Sequence, residues 1–119
     1  MTTYELGEVV AERKLEAVAA DGSRTPVTVR FGKPYPDPLS THGDWCCPHQ
    51  ILGLGEEGAG GSFGVDSLQA LLLSVFKVRL KLGERARAGS VRLDWLGQDD
   101  LGLEADPEPR GVTAPRSRS

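Results

Sequence analysis

Apolar positions alternate in the first third of the chain and recur at helical spacing in the last third. Val27, Val29 and Phe31 alternate with Thr28, Arg30 and Gly32, the period of a strand with one face buried. Val9 to Val18 shows a similar alternation with β-branched residues, and Asp21-Gly22 between the two segments is a turn signal. An antiparallel hairpin is predicted. From Asp66 the period changes. Leu68, Leu71, Leu72, Val75, Val78 or Arg79, and Leu82 keep i, i+3, i+4, i+7 spacing, while Asp66, Ala70, Lys77, Lys81 and Glu84 share the other side. This predicts a helix whose leucine-rich side faces the core. Phe76, Val78, Leu80 and Leu82 also alternate with Lys77, Arg79 and Lys81, which is a strand pattern. No turn signal precedes Gly83, so a helix through about Ala86 is expected.

Between these segments, Pro34-Tyr35-Pro36-Asp37-Pro38 is a stiff connector, unsuited to a helix or a central strand. Asp44 to Leu54 reads as a third strand, interrupted or bent at Pro48. Glu56 to Gly61 is a glycine-rich turn, Ser62 to Val65 a short fourth strand, and Val91 to Leu96 the last strand. The expected fold class is α+β: a small, mainly antiparallel sheet of about five strands with one long helix packed on one face. Residues 9–103 form a single domain in this reading. Residues 1–8 are expected to be a flexible N-terminus, and the Pro/Arg/Ser-rich residues 104–119 a disordered tail.

Composition narrows the function classes. With 119 residues there is room for one domain with a modest core. A net charge of −3 with acids and bases interspersed provides no basic stripe for nucleic acid. No run approaches the roughly 18 apolar residues of a membrane span, and Met1 to Glu8 does not read as a secretory signal. The only cysteines, Cys46 and Cys47, are adjacent and build no ordinary disulfide framework. A reduced, cytoplasmic protein is the simplest expectation.

Two clusters bear on chemistry. Gly64, Asp66, Ser67 and Leu68 resemble the attachment motif of acyl and peptidyl carrier domains. That resemblance makes Ser67 a candidate for a phosphopantetheine arm and implies a small helical bundle. The upstream strands, broken by Pro34, Pro36, Pro38 and Pro48, favour the other reading, in which Asp66 or Ser67 caps an ordinary helix. His42, Cys46, Cys47 and His49 lie within eight residues and hold enough N and S ligands for zinc. Adjacent cysteines on a strand point to opposite faces, whereas zinc sites space them by two or more residues. Cys47 and His49 share a strand face and are the residues to suspect, with Cys46, if the protein is an enzyme. No orienting acid or oxyanion hole accompanies them. No metal and no cofactor are expected.

A second resemblance covers about Val9 to Leu103. Ala11-Glu12-Arg13, Gly32-Lys33-Pro34-Tyr35-Pro36-Asp37-Pro38, Asp44-Trp45-Cys46-Cys47-Pro48, Gly53-Leu54-Gly55 and Gly64-Val65-Asp66-Ser67-Leu68-Gln69-Ala70-Leu71 together resemble a family of small bacterial domains of unknown function. The resemblance implies a stand-alone domain and supplies no catalytic residue or cofactor. The expected function is a non-enzymatic interaction module, accessory or immunity-type, that binds a protein partner or itself. One helix covers one sheet face, so Phe31, Trp45, Ile51 or Trp95 is expected to supply apolar surface on the other. The alternative is a wet face carrying Thr28, Arg30, Arg92 and Asp94.

Overall fold

The computed structural model describes residues 5–103. The expected tail, 104–119, lies outside the described residues, as does 1–4 of the expected N-terminal segment. Six strands and one helix follow in the order β1 (Val9–Val18), β2 (Arg24–Gly32), β3 (Tyr35–Pro36), β4 (Trp45–Leu52), β5 (Gly60–Gly64), α1 (Ser67–Gly89) and β6 (Arg92–Asp94). The strands form one sheet in the order β3-β4-β2-β1-β6, with β5 on the other edge of β4. Every described pairing is antiparallel. The fold is α+β, with the helix packed against the sheet.

The predicted hairpin is present, with Leu15 opposite Val27 and Lys14 opposite Thr28. Its turn is held by Gly22 N–H donating to the Ala19 carbonyl (2.9 Å). Asp21 accepts from the Ser23 backbone N–H and hydroxyl, and those two bonds lower its pKa. Gly22 has φ +87°, a conformation that a side chain resists. Ahead of β1, the Glu8 carbonyl accepts from Lys33 N–H at 2.8 Å.

One expectation about proline needs correction. Pro48 does not interrupt its strand: β4 continues through it. On one side Pro48 lies opposite Gly61. On the other it falls between the Phe31–His49 and Tyr35–Cys46 pairs, where four steps along β2 and β3 oppose three along β4. A proline without an N–H is tolerated there because the ladder is already broken by the extra residue. The connector after β2 forms neither a helix nor a central strand and joins the sheet only as its two-residue terminal strand. Tyr35 and Pro36 pair with Cys46 and Trp45 as β3, the strand that brings the count to six.

The core lies between the sheet and α1. Leu15, Ala17, Val27, Val29, Phe31, Ile51 and Leu93 rise from the sheet to meet Val78 and Leu82, with Leu103 closing one end. Burying a side chain such as Leu82 stabilises the fold by about 1.5–3 kcal/mol. Beside them Trp95 stacks on the Arg13 guanidinium, 3.9 Å from the ring centre.

The helix runs through Gly83 to Gly89, longer than expected, and ends on Ser90 in the left-handed conformation (φ 55°). Its orientation differs in part from the prediction: Val78 and Leu82 are buried as expected and Leu71 and Val75 pack against the core, but Leu68 and Leu72 are exposed and Ala70 is buried. The buried stripe is Ala70, Ser74, Val78 and Leu82, four residues at i+4 spacing of which two are small. Small residues win because the helix approaches the sheet edge closely at its start. A methyl group on Gly64 would sit 2.6 Å from the Ala70 backbone nitrogen.

Candidate functional site

β4 carries most of the residues that the sequence singles out, and alternation sends them to different places. Cys46 lies in register between Tyr35 and Phe63. Cys47 and His49 point the other way, under α1. Both thiols are buried and free. Burial raises both thiol pKa values, overriding hydrogen bonding from Tyr35 at Cys46 and from Ser74 at Cys47. The Cys47 thiol donates to the Gly32 carbonyl at 3.5 Å, filling space beside the proline gap. His42 sits apart on an exposed loop, its Nδ1 3.1 Å from Thr41 Oγ1. Among the described residues no three His, Cys, Asp or Glu side chains converge as a metal-binding group.

His49 belongs to a buried chain of polar groups that the sequence did not reveal. The Ser74 hydroxyl donates to the Cys47 carbonyl at 3.2 Å. Having one proton, it must accept from His49 Nδ1, 2.9 Å away. That fixes the tautomer, leaving His49 Nε2 as the acceptor facing Lys81 Nζ at 3.5 Å. Desolvation first, then the charges of Lys81, Lys77 and Arg85, push the His49 pKa down to about 4. The Lys81 pKa is also lowered, by desolvation and by Lys77 and Arg85. Gly60 leaves room for the imidazole, since a methyl group there would lie 2.9 Å from Nε2.

This arrangement does not resemble an activated cysteine. A nucleophilic Cys–His pair holds a thiolate beside an imidazolium; here the thiol is pushed up and the imidazole down, so both are neutral. Ser74 and Cys47 are fully buried and His49 is 1% exposed, so their reactive atoms do not meet solvent. What the chain does physically is satisfy polar groups beneath a helix, where an unpaired one costs about 1–3 kcal/mol. The only signal for it in the sequence is Ser74 itself, a small polar residue set four positions from both Ala70 and Val78.

Ser67 begins α1 and is exposed. Asp66 is the cap: its carboxylate accepts Gln69 N–H at 2.8 Å, and Gln69 Oε1 accepts Val65 N–H at 2.7 Å. The reciprocal pair closes the helix start. The surrounding fold is a sheet with one helix, unlike the helical bundle that the carrier resemblance implies.

The matched family model covers residues 11–105, from the third residue of β1 past the last described residue, and is described as a domain of unknown function, DUF6968. The chain belongs to the DUF6968 family. No curated protein and no solved structure matches this DUF6968 domain.

Phe31, Trp45, Ile51 and Trp95 do not supply the exposed apolar surface that the sequence-based reading expected of them; large exposed apolar residues lie on α1 (Leu68, Leu72 and Leu80), with Val9 and Val10 of β1 and Phe63 of β5 exposed as well. Phe31 and Ile51 are buried in the core, and Trp45 and Trp95 are half-buried. The open sheet face is polar and paired: Glu12 with Arg30 (3.2 Å) and Lys14 (3.7 Å), and Glu16 with Arg24 (2.7 Å). Asp94, expected to be wet, is buried against Arg24 and Arg92 at the β6 edge. On α1, Leu68, Leu72, Phe76 and Leu80 recur at i+4, half a turn away from the buried stripe. Leu68 is 60% exposed, Leu72 41% and Leu80 49%, with Val65 beside the helix start at 72%. Towards β5 the stripe continues into a shallow groove lined by Ser62, Phe63, Leu73, Phe76, Lys77 and Leu80.

Proposed function

We propose that this DUF6968 domain is a non-enzymatic bacterial interaction module, working in a reducing cytoplasm, that engages another protein surface through the solvent side of α1. The observation that carries this reading is the apolar stripe Leu68, Leu72, Phe76 and Leu80 opposite the buried stripe. A helix apolar on two opposite sides is satisfied when both are covered. Large exposed apolar patches on a soluble domain usually mark interaction sites. Two buried, protonated thiols fit a reducing compartment. Among the described residues no helix is long and apolar enough to cross a membrane.

The rival readings, an enzyme using Cys46, Cys47 and His49 or a carrier modified at Ser67, draw no comparable support from the geometry. The test is a photocrosslinking amino acid placed at Leu72 in the native cell, with the same group at Lys14 on the open sheet face as control. A discrete protein adduct from position 72 and none from position 14 is expected. No adduct at 72, or equal labelling from both positions, overturns the reading.

A further inference from the structure

Lys77, Lys81 and Arg85 stand four positions apart on α1, which lines them up in one row with about 6 Å of rise between neighbours. The row follows the glycine-rich segment that joins β4 to β5. Lys77 donates to the Gly61 carbonyl at 3.2 Å, Lys81 Nζ faces His49 Nε2 at 3.5 Å, and Arg85 donates to the Glu56 carbonyl at 2.8 Å. These contacts aim three long side chains at one strip of the domain. They leave the charge in place, because carbonyls and a neutral imidazole carry none.

Acids do not balance the row. Among the described residues no carboxylate lies within ion-pairing distance of Lys77 or Lys81. Glu56 meets Arg85 at 3.7 Å, but its side chain is 81% exposed. Glu84 acts on Lys81 only through its field and is itself exposed. Three cations therefore face two solvated acids. The imbalance is felt locally: desolvation first, then Lys77 and Arg85, lower the Lys81 pKa, and the same two cations act on His49 beside Lys81 itself. An anion entering the row relieves that repulsion.

The strip also has room for one. Gly60 has no side chain, and a methyl group there would lie 2.9 Å from His49 Nε2 and 3.3 Å from Lys81 Nζ. The result is a notch with a half-buried ammonium at its side. A compact group reaches that ammonium more readily than a broad protein surface does. A phosphoryl group is compact, carries up to two negative charges and offers several acceptor oxygens, so it can take hydrogen bonds from two or three members of the row at once. A lone carboxylate brings one charge, which Glu56 already provides at Arg85.

We propose that Lys77, Lys81 and Arg85, beside Gly60, form a binding site for a small phosphoryl-type oxyanion. The site is independent of the apolar stripe, so it stands or falls separately from the interaction reading.

Titration of the full chain with inorganic phosphate, with ionic strength held constant by sodium chloride, tests the proposal. The side-chain resonances of His49 and Lys81 report on the site, and Lys14 on the open sheet face serves as reference. Saturating shifts at His49 and Lys81, half-complete at or below about 5 mM and without a matching shift at Lys14, are expected. Lys81→Gln should weaken phosphate at least about fivefold, while Lys81→Arg, which keeps the charge, should stay within about twofold of the wild type. Shifts that grow without saturating, equal shifts with acetate in place of phosphate, or an affinity unchanged in Lys81→Gln would overturn the site. The wild-type titrations with phosphate and acetate decide the matter even if neither variant folds.

Discussion

His49 and Ser74, on β4 and on α1, meet beneath the helix with Nδ1 and Oγ 2.9 Å apart, and the serine passes the contact on to the Cys47 carbonyl at 3.2 Å. One hydroxyl thus fixes the proton on His49 and ties the middle of α1 to the central strand. Its environment keeps the imidazole neutral at physiological pH.

Acid should therefore destabilise the fold through His49. Its pKa falls from 6.5 when unfolded to about 4 when folded, so the unfolded state binds the proton more readily. The stabilisation is complete above pH 6.5 and is lost as pH falls from there towards about 4. A loss on the order of 2 kcal/mol is expected, discounted because solvent screens part of the Lys81 charge. Urea midpoints across that pH range will show it, and His49→Gln should flatten the dependence. An equally steep fall in His49→Gln would place its source elsewhere.

Ser74→Ala should cost about 1–3 kcal/mol although it removes a single oxygen, since it strands both the His49 N–H and the Cys47 carbonyl. Equilibrium denaturation gives the value directly. A cost below about 0.5 kcal/mol would mean that a water or a shifted side chain replaces the hydroxyl.

The two sides of α1 should respond in opposite ways. Leu82→Ala, on the buried stripe, should cost about 2–5 kcal/mol. Leu68→Gln, on the outer stripe, should stay within about 0.5 kcal/mol in dilute protein. A loss at Leu68 as large as that at Leu82 would restore the orientation that the leucine pattern predicts.

At the helix start, Asp66→Ala should lower stability by about 1 kcal/mol through loss of the cap, while Ser67→Ala should be neutral within about 0.5 kcal/mol. Thermal unfolding of both variants is sufficient. Equal losses would assign the cap to Ser67.

Thiol labelling offers a separate check. Cys46 and Cys47 are buried, with pKa values raised by desolvation. Native protein should react with a thiol reagent far more slowly than denatured protein, at a rate set by opening of the sheet. Rapid native labelling of either residue would reopen the case for a reactive cysteine.

The hairpin, the helix and the α+β class were legible because each rests on local periodicity: Val27, Val29 and Phe31 can only line one face, and Leu71, Val75 and Val78 only one side of a helix. The choice of which side of α1 faces inward was not legible. Leu68 and Leu72 are more apolar than Ala70 and Ser74, so periodicity alone favours the wrong stripe. Close approach of the helix to Gly64 reverses that preference, and close approach is a tertiary fact. The same holds for Pro48, whose place in mid-strand depends on the irregular pairing of β2 and β3 with β4. Cys47 and His49 were readable as neighbours on one strand face. Their partners Ser74 and Lys81 were not, being 25 or more positions away from His49.

The last strand closes on the first: Glu16, Ala17 and Val18 of β1 pair with Asp94, Leu93 and Arg92 of β6. As the chain leaves a ribosome, β1, β2, β4 and β5 can pair in turn, each with a predecessor already made. That nascent sheet carries Val27, Val29, Phe31 and Ile51 on a face with nothing over it until the whole of α1 has been synthesised. The pairing that seals the sheet spans nearly the full domain and must wait longer still. Contacts of this range make folding slow and leave intermediates that stick to one another. A ribosome stalled just after β5 would hold a sticky half-sandwich, and translation through the helix is the step that ends the exposure.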